Sequence, residues 1–193
     1  MVNRKSVAVF FKRLGMALCL TVAAALLWWT RGCTQTPELY VGSGPSMEPT
    51  IEPGEIVLVT SPILRLELGE LVMFRFVDAD SVRQVLRRVA AMPGDVLQMQ
   101  DGLAIVNGAT MEWPFRVIER RSATSPLARV ANLYTWGPWT CPPDSVLLLS
   151  DTRDVVGWPD SRFIGPVAIA DLTGEAGRRL WSRQPGRLLR RLE

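Results

Sequence analysis

A chain of 193 residues is long enough for one compact domain and a membrane anchor, and too short for two large domains. Its apolar fraction of 48% and charged fraction of 21% are typical of a globular protein to which one hydrophobic segment is added. The net charge of +3 is small and much of it lies in the two terminal segments, which argues against a nucleic-acid-binding protein.

Two usual sources of a general base are scarce in the sequence. The chain contains no histidine, and its two lysines, Lys5 and Lys12, both precede the first apolar run. The three cysteines, Cys19, Cys33 and Cys141, do not have the spacing of a metal site. We therefore predict no metal and no cofactor. Cys33 and Cys141 could pair outside a reducing compartment, and the sequence leaves that open.

The N-terminal part of the chain has the pattern of a membrane anchor. Residues 1–13 form a basic segment without acidic residues, and residues 14–31 form the predicted transmembrane helix. Trp28 and Trp29 lie where interfacial aromatic residues are found, and the basic flank predicts that residues 1–13 stay on the cytosolic or matrix side. The remainder of the chain then lies across the membrane. A cleaved signal or transit peptide is the alternative reading.

Residues 32–177 have the pattern of a mostly β domain. Short apolar runs are broken by Gly, Pro and Asp, and none sustains a helical period for three turns. The Asp101-Gly102 pair predicts a hairpin turn. The predicted strands are Glu55–Val59, Glu70–Phe76, Ser81–Ala90, Val96–Gln100, Leu103–Val106 and Ser145–Leu149.

Two segments depart from this β pattern. Residues from about 111 to 143 are rich in arginine, proline and tryptophan, and we interpret them as a variable excursion or subdomain, either solvated or in contact with lipid headgroups. Residues 178–193 form a basic C-terminal tail with interleaved apolar residues. This tail could be a short amphipathic helix on the membrane surface.

A serine lies between two prolines in the string Gly-Pro-Ser-Met-Glu-Pro-Thr, residues 44–50. Because proline fixes φ, Pro45 and Pro49 hold Ser46 on a stiff loop. A lone serine in such a loop is most often a turn or cap hydroxyl. The whole string resembles the nucleophile box of the type I signal peptidases, and its Ser-Gly-Pro-Ser-Met form looks most like their mitochondrial inner-membrane peptidase branch. By this resemblance, Ser46 is the candidate nucleophile.

Two further strings resemble the same family in the same order. Residues 87–95, Arg-Arg-Val-Ala-Ala-Met-Pro-Gly-Asp, resemble the family's Lys-Arg-Val-x-(Gly/Ala)-x-Pro-Gly-Asp. Residues 150–154 and 160–162 resemble its Gly-Asp-Asn-Arg-Asp and Asp-Ser-Arg segments. The resemblance implies a signal-peptidase-like antiparallel β domain. The residues that it makes candidates for supporting the site are Gly44, Asp151, Arg153, Asp160, Ser161 and Arg162.

The family's mechanism is a Ser/Lys dyad, in which a lysine of lowered pKa takes the serine proton and backbone N–H groups hold the oxyanion. Here Arg87 occupies the lysine position. A guanidinium is a poor general base because its pKa lies above about 12. Strand alternation directs Arg87 inward, toward the Ser46 loop. Arg87 could instead form an ion pair with Asp160, although Asp160 and Arg162 can equally pair with each other.

Two other positions depart from the family's pattern. The family has a hydroxyl two residues before its Asp-Ser-Arg segment, where it helps to orient the lysine. That position is Val156 or Trp158 here, depending on how two extra residues are placed. The residue two before Ser46, often a hydroxyl in the family, is Gly44. The lysine and its hydroxyl partner are thus both missing.

The resemblance implies a membrane-anchored serine endopeptidase that removes N-terminal targeting segments from translocated proteins. The alternative is a non-catalytic homologue that binds such segments, or a partner peptidase subunit, without cutting. A soluble autoproteolytic repressor is disfavoured by the predicted anchor and by the lack of a DNA-binding module. The expected partners are membrane lipid, signal or targeting peptides and a second peptidase subunit, and not nucleic acid.

The predicted location is a single-pass membrane protein with its domain on the trans side. The nucleophile box, the small size and the acid-free N-terminus favour the mitochondrial inner membrane, facing the intermembrane space. The Asp-Ser-Arg-Phe segment at residues 160–163 is equally compatible with a bacterial cytoplasmic membrane and a periplasmic domain.

Overall fold

The computed structural model describes residues 36–79, 81–111, 135–152 and 159–192, together with Thr21. Within these ranges, no helix combines the length and the apolar character needed to cross a membrane. The predicted basic segment and transmembrane helix lie outside the described residues, apart from Thr21. The greater part of the predicted excursion also lies outside them, as do Arg153, Val156 and Trp158.

The described residues are mostly β-strands, which confirms the predicted antiparallel β class. One short α-helix, α1, runs from Ser161 to Ile164. Three 3-10 turns cover Pro45–Met47, Ile169–Asp171 and Pro185–Arg187. The strands are β1 Thr36–Val41, β2 Ile56–Ser61, β3 Leu71–Asp78, β4 Ser81–Ala91, β5 Val96–Gln100, β6 Leu103–Val106, β7 Ala109–Thr110, β8 Trp136–Thr140, β9 Ser145–Leu149, β10 Val167–Ala168 and β11 Leu172–Trp181.

These strands form two sheets. The larger sheet has the order β1-β2-β11-β3-β4-β9-β10, and the smaller has the order β7-β6-β5-β8. The pairings of β3 with β4, of β4 with β9 and of β11 with β2 and β3 are antiparallel. Asp101 and Gly102 join β5 to β6 with φ values of 49° and 82°, which confirms the predicted hairpin, because such a tight turn needs positive φ at both residues.

Strand β4, which contains Arg87, runs through the core. Its first four residues are exposed, whereas Val85–Ala91 are all buried. The second half is buried on both faces because Leu86 packs in one apolar cluster with Met47, while Val89 packs in another with Leu148. A charged residue in this half is therefore shielded from bulk water on both faces.

The C-terminal region differs from the predicted amphipathic helix. Strand β11 continues to Trp181, past the point at which the β domain was predicted to end, because Arg178–Trp181 pair with β2. Between β11 and residue 192 the chain makes the 3-10 turn Pro185–Arg187 and an isolated antiparallel bridge between Arg191 and Arg178. Leu192 is then buried in the same cluster as Met47 and Ile51. We call residues 182–192 the C-terminal strap.

Candidate active site

The loop that carries Ser46 starts at a glycine for a steric reason. A Cβ atom on Gly42 would lie 2.8 Å from the carbonyl oxygen of Glu52, closer than such atoms approach. The Gly42 N–H donates to the Glu55 carbonyl at 2.9 Å, and the Gly54 N–H donates to the Gly42 carbonyl at 2.7 Å. Gly42 thus closes the base of the loop against the start of β2.

Ser46 lies in the 3-10 turn Pro45–Met47 and is 5% exposed. Its backbone is fixed by Thr152, whose N–H donates to the Ser46 carbonyl at 3.0 Å. The Thr152 hydroxyl lies 2.7 Å from the carbonyl oxygen of Pro45 and 2.8 Å from that of Glu48. The Ser46 hydroxyl itself makes no hydrogen bond to a described residue. The turn is therefore held rigidly while its side chain keeps its donor and acceptor capacity.

A buried ion pair connects the next part of the loop to β4. Arg88 Nε donates to Asp151 Oδ1 at 2.8 Å, and Arg88 Nη2 donates to Asp151 Oδ2 at 2.9 Å. Both side chains are at most 3% exposed. The Thr50 hydroxyl donates to the same carboxylate, and the Gly69 carbonyl accepts from Arg88 Nη1 at 2.5 Å. Asp151, a predicted supporting residue, thus links β9 to both β4 and the Ser46 loop.

Arg87 lies inside the domain, as strand alternation predicts, and is 1% exposed. Its Nε donates to the Pro159 carbonyl at 2.8 Å and its Nη1 donates to the Leu86 carbonyl at 2.5 Å. Burial lowers the pKa of Arg87, and the charges of Asp160, Tyr40 and Asp151 act in the opposite direction. A guanidinium starts so far above neutrality that it stays protonated, so Arg87 cannot accept the proton of a serine.

Asp160 does not pair with Arg87 and instead forms its ion pair with Arg162. Arg162 Nη2 lies 2.7 Å from Asp160 Oδ2, and Arg162 Nε lies 3.1 Å from Oδ1. The hydroxyl and the N–H of Ser150 donate to the same carboxylate at 2.7 and 3.2 Å. Burial alone would raise the pKa of Asp160, but the charge of Arg162 and the hydrogen bonds from Arg162 and Ser150 hold it below its usual value. The sequence allowed Asp160 to pair with either Arg87 or Arg162, and the structure shows the pair with Arg162.

Acidification is expected to weaken the fold through Asp160. Since its pKa is lower in the folded protein than the roughly 3.9 of an unfolded aspartate, its stabilising contribution is fully present above that value and is lost as the pH falls through the folded pKa. The free energy of unfolding in urea should therefore fall below about pH 4. An Asp160→Asn variant should be less stable at neutral pH, because Arg162 loses its buried counter-charge, and less sensitive to acid. Equal pH slopes for the two proteins would contradict this assignment.

Tyr40 is a member of the site that the sequence did not reveal. Burial raises its pKa, while the charge of Arg87, the Leu86 backbone and the Ser43 side chain act to lower it. Because the net shift is upward, Tyr40 stays protonated at neutral pH and is not a substitute base. Its one sequence signal is its position just before the Ser46 loop, which is too weak to single it out.

The C-terminal strap supports the Ser46 loop from its far side. Arg187 Nη2 donates to the carbonyl of Pro49 at 2.8 Å and to that of Thr50 at 2.9 Å. Its Nη1 lies 2.8 Å from a carboxylate oxygen of Glu52. One side chain of the strap thereby satisfies two consecutive loop carbonyls.

A buried pair lies beneath this contact. Arg179 Nε donates to Glu55 Oε2 at 2.9 Å, and Arg179 Nη2 donates to the Thr50 carbonyl. The Arg179 and Glu55 side chains are 7% and 2% exposed. The turn that follows Ser46 is therefore held by two arginines from the C-terminal part of the chain, neither of which the sequence indicated.

The predicted residues thus form one connected polar network. The Ser46 carbonyl accepts from the N–H of Thr152, which is the neighbour of Asp151. Asp151 pairs with Arg88, the residue after Arg87. Arg87 in turn donates to the Pro159 carbonyl, directly before Asp160. Ser161 contributes through its hydroxyl, which accepts from the Leu148 N–H at 2.7 Å. Gly44 precedes the 3-10 turn in an extended conformation and supplies no hydroxyl. Arg153 lies outside the described residues.

Residues 11–181 match the family model described as signal peptidase, peptidase S26. The chain belongs to the signal peptidase family. The match includes all three strings that carried the resemblance. The candidate nucleophile, the arginine at the lysine position and the two buried aspartate pairs all lie within this signal peptidase region.

Known signal peptidases resemble the chain over most of its length. Signal peptidase I of Bacillus caldolyticus is 29% identical over 146 residues, which cover 74% of this chain and 78% of that protein. Signal peptidase IB of Staphylococcus aureus (strain COL) is 27% identical over 173 residues, covering 85% and 87% of the two chains. A crystal structure of a signal peptidase I from Enterococcus faecalis V583 covers 59% of this chain and 98% of its own, with 17% identity and a TM-score of 0.43. All three proteins are bacterial.

Proposed function

We propose that this chain has the architecture of a signal-peptidase-type serine endopeptidase. We also propose that a cleft beside Ser46 receives the signal or targeting peptides of translocated proteins. We further propose that the isolated chain binds these segments without cutting them efficiently. Relatives named signal peptidase I and IB support the choice of ligand. Arg87 supports the loss of cutting.

The position of Arg87 is the observation that carries the second part of the proposal. Its Nε and Nη1 are occupied by the carbonyls of Pro159 and Leu86, and it is 1% exposed. A side chain so fixed cannot swing away to admit another base. Within the described residues, the other ionisable groups beside it are Asp151 and Asp160, each engaged with its own arginine, and a protonated Tyr40. The two carboxylates are thus committed to ion pairs and the phenol keeps its proton, which leaves no free base beside Arg87 among the described residues.

An active endopeptidase is the second candidate, and the state of Ser46 favours it. The Ser46 hydroxyl is unpartnered among the described residues, and its turn is held by Thr152. In this reading Ser46 attacks the scissile carbonyl, and its N–H, with Gly44 leaving space beside it, holds the oxyanion. A second peptidase subunit would supply the base that this chain lacks.

The supporting residues have structural roles in both candidates. Asp151 with Arg88 and Asp160 with Arg162 hold β4, β9 and the Ser46 loop in register. Ser161 fixes the start of α1 against β9 through the Leu148 N–H. These groups position the cleft and do not touch the reacting atoms.

The protein is proposed to be anchored by residues 14–31 with its domain on the trans side of a membrane. The bacterial relatives favour the cytoplasmic membrane and a periplasmic domain, with the mitochondrial intermembrane space as the second location. Protease treatment of right-side-out and inverted vesicles tests this orientation. Digestion of the Arg116–Arg129 region only from the cytosolic or matrix face would reject it.

Binding of targeting segments can be tested by crosslinking without any need for cleavage. A precursor protein with a photoreactive residue in its signal peptide is expected to crosslink to the full chain, with the attachment mapped to residues 43–51. The same precursor without its signal peptide is the control. Equal crosslinking of the two precursors, or attachment far from the Ser46 loop, would reject this ligand class.

A further inference from the structure

Arg87 lies in a cluster of buried charged side chains at the centre of the part of the domain that the structure describes. Three guanidinium groups meet two carboxylates there, and all five side chains are at most 3% exposed. Asp151 is engaged by Arg88 at 2.8 Å, and Asp160 is engaged by Arg162 at 2.7 Å. Among the described residues, Arg87 has no carboxylate of its own. Buried charges are normally paired, so Arg87 is unusual among the described residues in having only neutral partners.

The hydrogen bonds of Arg87 show which of its nitrogens has no partner. Its Nε and Nη1 donate to two neutral backbone carbonyls, which satisfy the N–H groups without cancelling the charge. Its Nη2 has no partner, and within the described ranges it is the one buried side-chain nitrogen in that condition. A buried guanidinium edge with unused donors is suited to a carboxylate oxygen.

We propose that Arg87 Nη2 is a binding group for a ligand carboxylate, and that this carboxylate is the free C-terminus of a peptide held in the cleft. This inference rests on the proposed function, because it assumes that a targeting peptide occupies the site. A peptide that ends at the cut position presents a carboxylate where an uncut chain has a neutral amide. The cleft would then retain cleaved segments in preference to intact ones.

Tyr40 lies close enough to Arg87 for their charges to interact. Tyr40 is half-buried and interacts both with the charge of Arg87 and with the side chain of Ser43, which is exposed. Because Nη2 has almost no accessible surface, the side chains packed over it must move when the ligand binds.

The experiment compares one peptide in two forms. An acetylated apolar hexapeptide with a free C-terminal carboxylate, and the same peptide with a C-terminal amide, are titrated into the full chain by calorimetry at neutral pH. The free acid is expected to bind at least about tenfold more tightly, as hydrogen bonds to charged groups do. This ratio should fall to about one in Arg87→Met, since the guanidinium is gone. Arg83→Gln, an exposed position on the same strand, should keep the wild-type ratio.

The ratio of the two affinities, acid to amide, distinguishes a carboxylate-binding role from loss of folding. Loss of folding would weaken the binding of both peptides equally and leave the ratio unchanged. Equal binding of the acid and the amide to the unaltered chain would overturn the carboxylate site and leave the proposed function intact. Binding of neither peptide would count against the proposed function. In that event the carboxylate site is tested with acetate. The melting temperature of the protein in acetate is compared with that in chloride at equal ionic strength. A rise in melting temperature specific to acetate and absent in Arg87→Met would support the site, and no rise would overturn it.

Discussion

The purified chain is expected to cleave a signal-peptide substrate no faster than its Ser46→Ala variant. Arg87 remains protonated, and the two lysines lie at positions 5 and 12, before the predicted membrane anchor. General-base assistance is typically worth about 10² to 10⁴ in rate, so its loss leaves cleavage near background even with Ser46 in place. Quantifying the cleaved product over hours in detergent or liposomes measures both rates.

Restoring the lysine provides the matched variant for this experiment. Arg87→Lys should gain some activity, which Ser46→Ala should then abolish. The gain should be incomplete because neither Val156 nor Trp158 carries a hydroxyl that could orient the new amine. Rapid cleavage by the unaltered chain, removed by Ser46→Ala, would show that another group or a partner subunit supplies the base. That result would reject the non-catalytic reading and leave the endopeptidase reading standing.

Breaking the pair between Arg88 and Asp151 is expected to have the largest effect on stability. Asp151→Ala leaves a guanidinium that is 3% exposed without its carboxylate. Removing one partner of such a pair costs about 3 to 5 kcal/mol, a large part of the total stability of a domain. The Thr50 hydroxyl loses its acceptor in the same change. Urea unfolding followed by tryptophan fluorescence measures the loss.

The double variant Arg88→Met, Asp151→Leu separates the charge effect from packing. Replacing both ions with apolar side chains of similar volume is often close to neutral, so the double variant should be more stable than Asp151→Ala alone. A double variant as unstable as Asp151→Ala, or less stable, would contradict the view that the orphaned charge of Arg88 causes the loss.

The sequence predicted the β class because apolar runs of strand length are visible in a single chain. It also predicted that Arg87 points inward, since alternation along β4 is a local property. The choice between Arg87 and Arg162 as partner of Asp160 was not predictable. It depends on the tight turn at α1, in which Asp160 caps the Arg162 N–H and thereby brings the neighbouring guanidinium within reach.

The side chains that support the Ser46 loop could not be predicted from the sequence. Thr152 belongs to a recognised string, but its hydroxyl bonds to the backbone of a loop more than 100 positions earlier. Tyr40 acts through its proximity to Arg87 and not through a motif. The contacts of Arg179 and Arg187 with Thr50 span 129 and 137 positions. Polar contacts of this range have no periodicity, so neither composition nor spacing reveals them.

The C-terminal strap has a consequence for the order in which the protein becomes competent. Ser46 is synthesised before Arg179, Arg187 and Leu192, which hold and cover its loop. Such long-range contacts form late, because the intervening chain must first be ordered. The Ser46 loop of a nascent chain therefore lacks these supports until residues 179–192 have been made and have folded onto it.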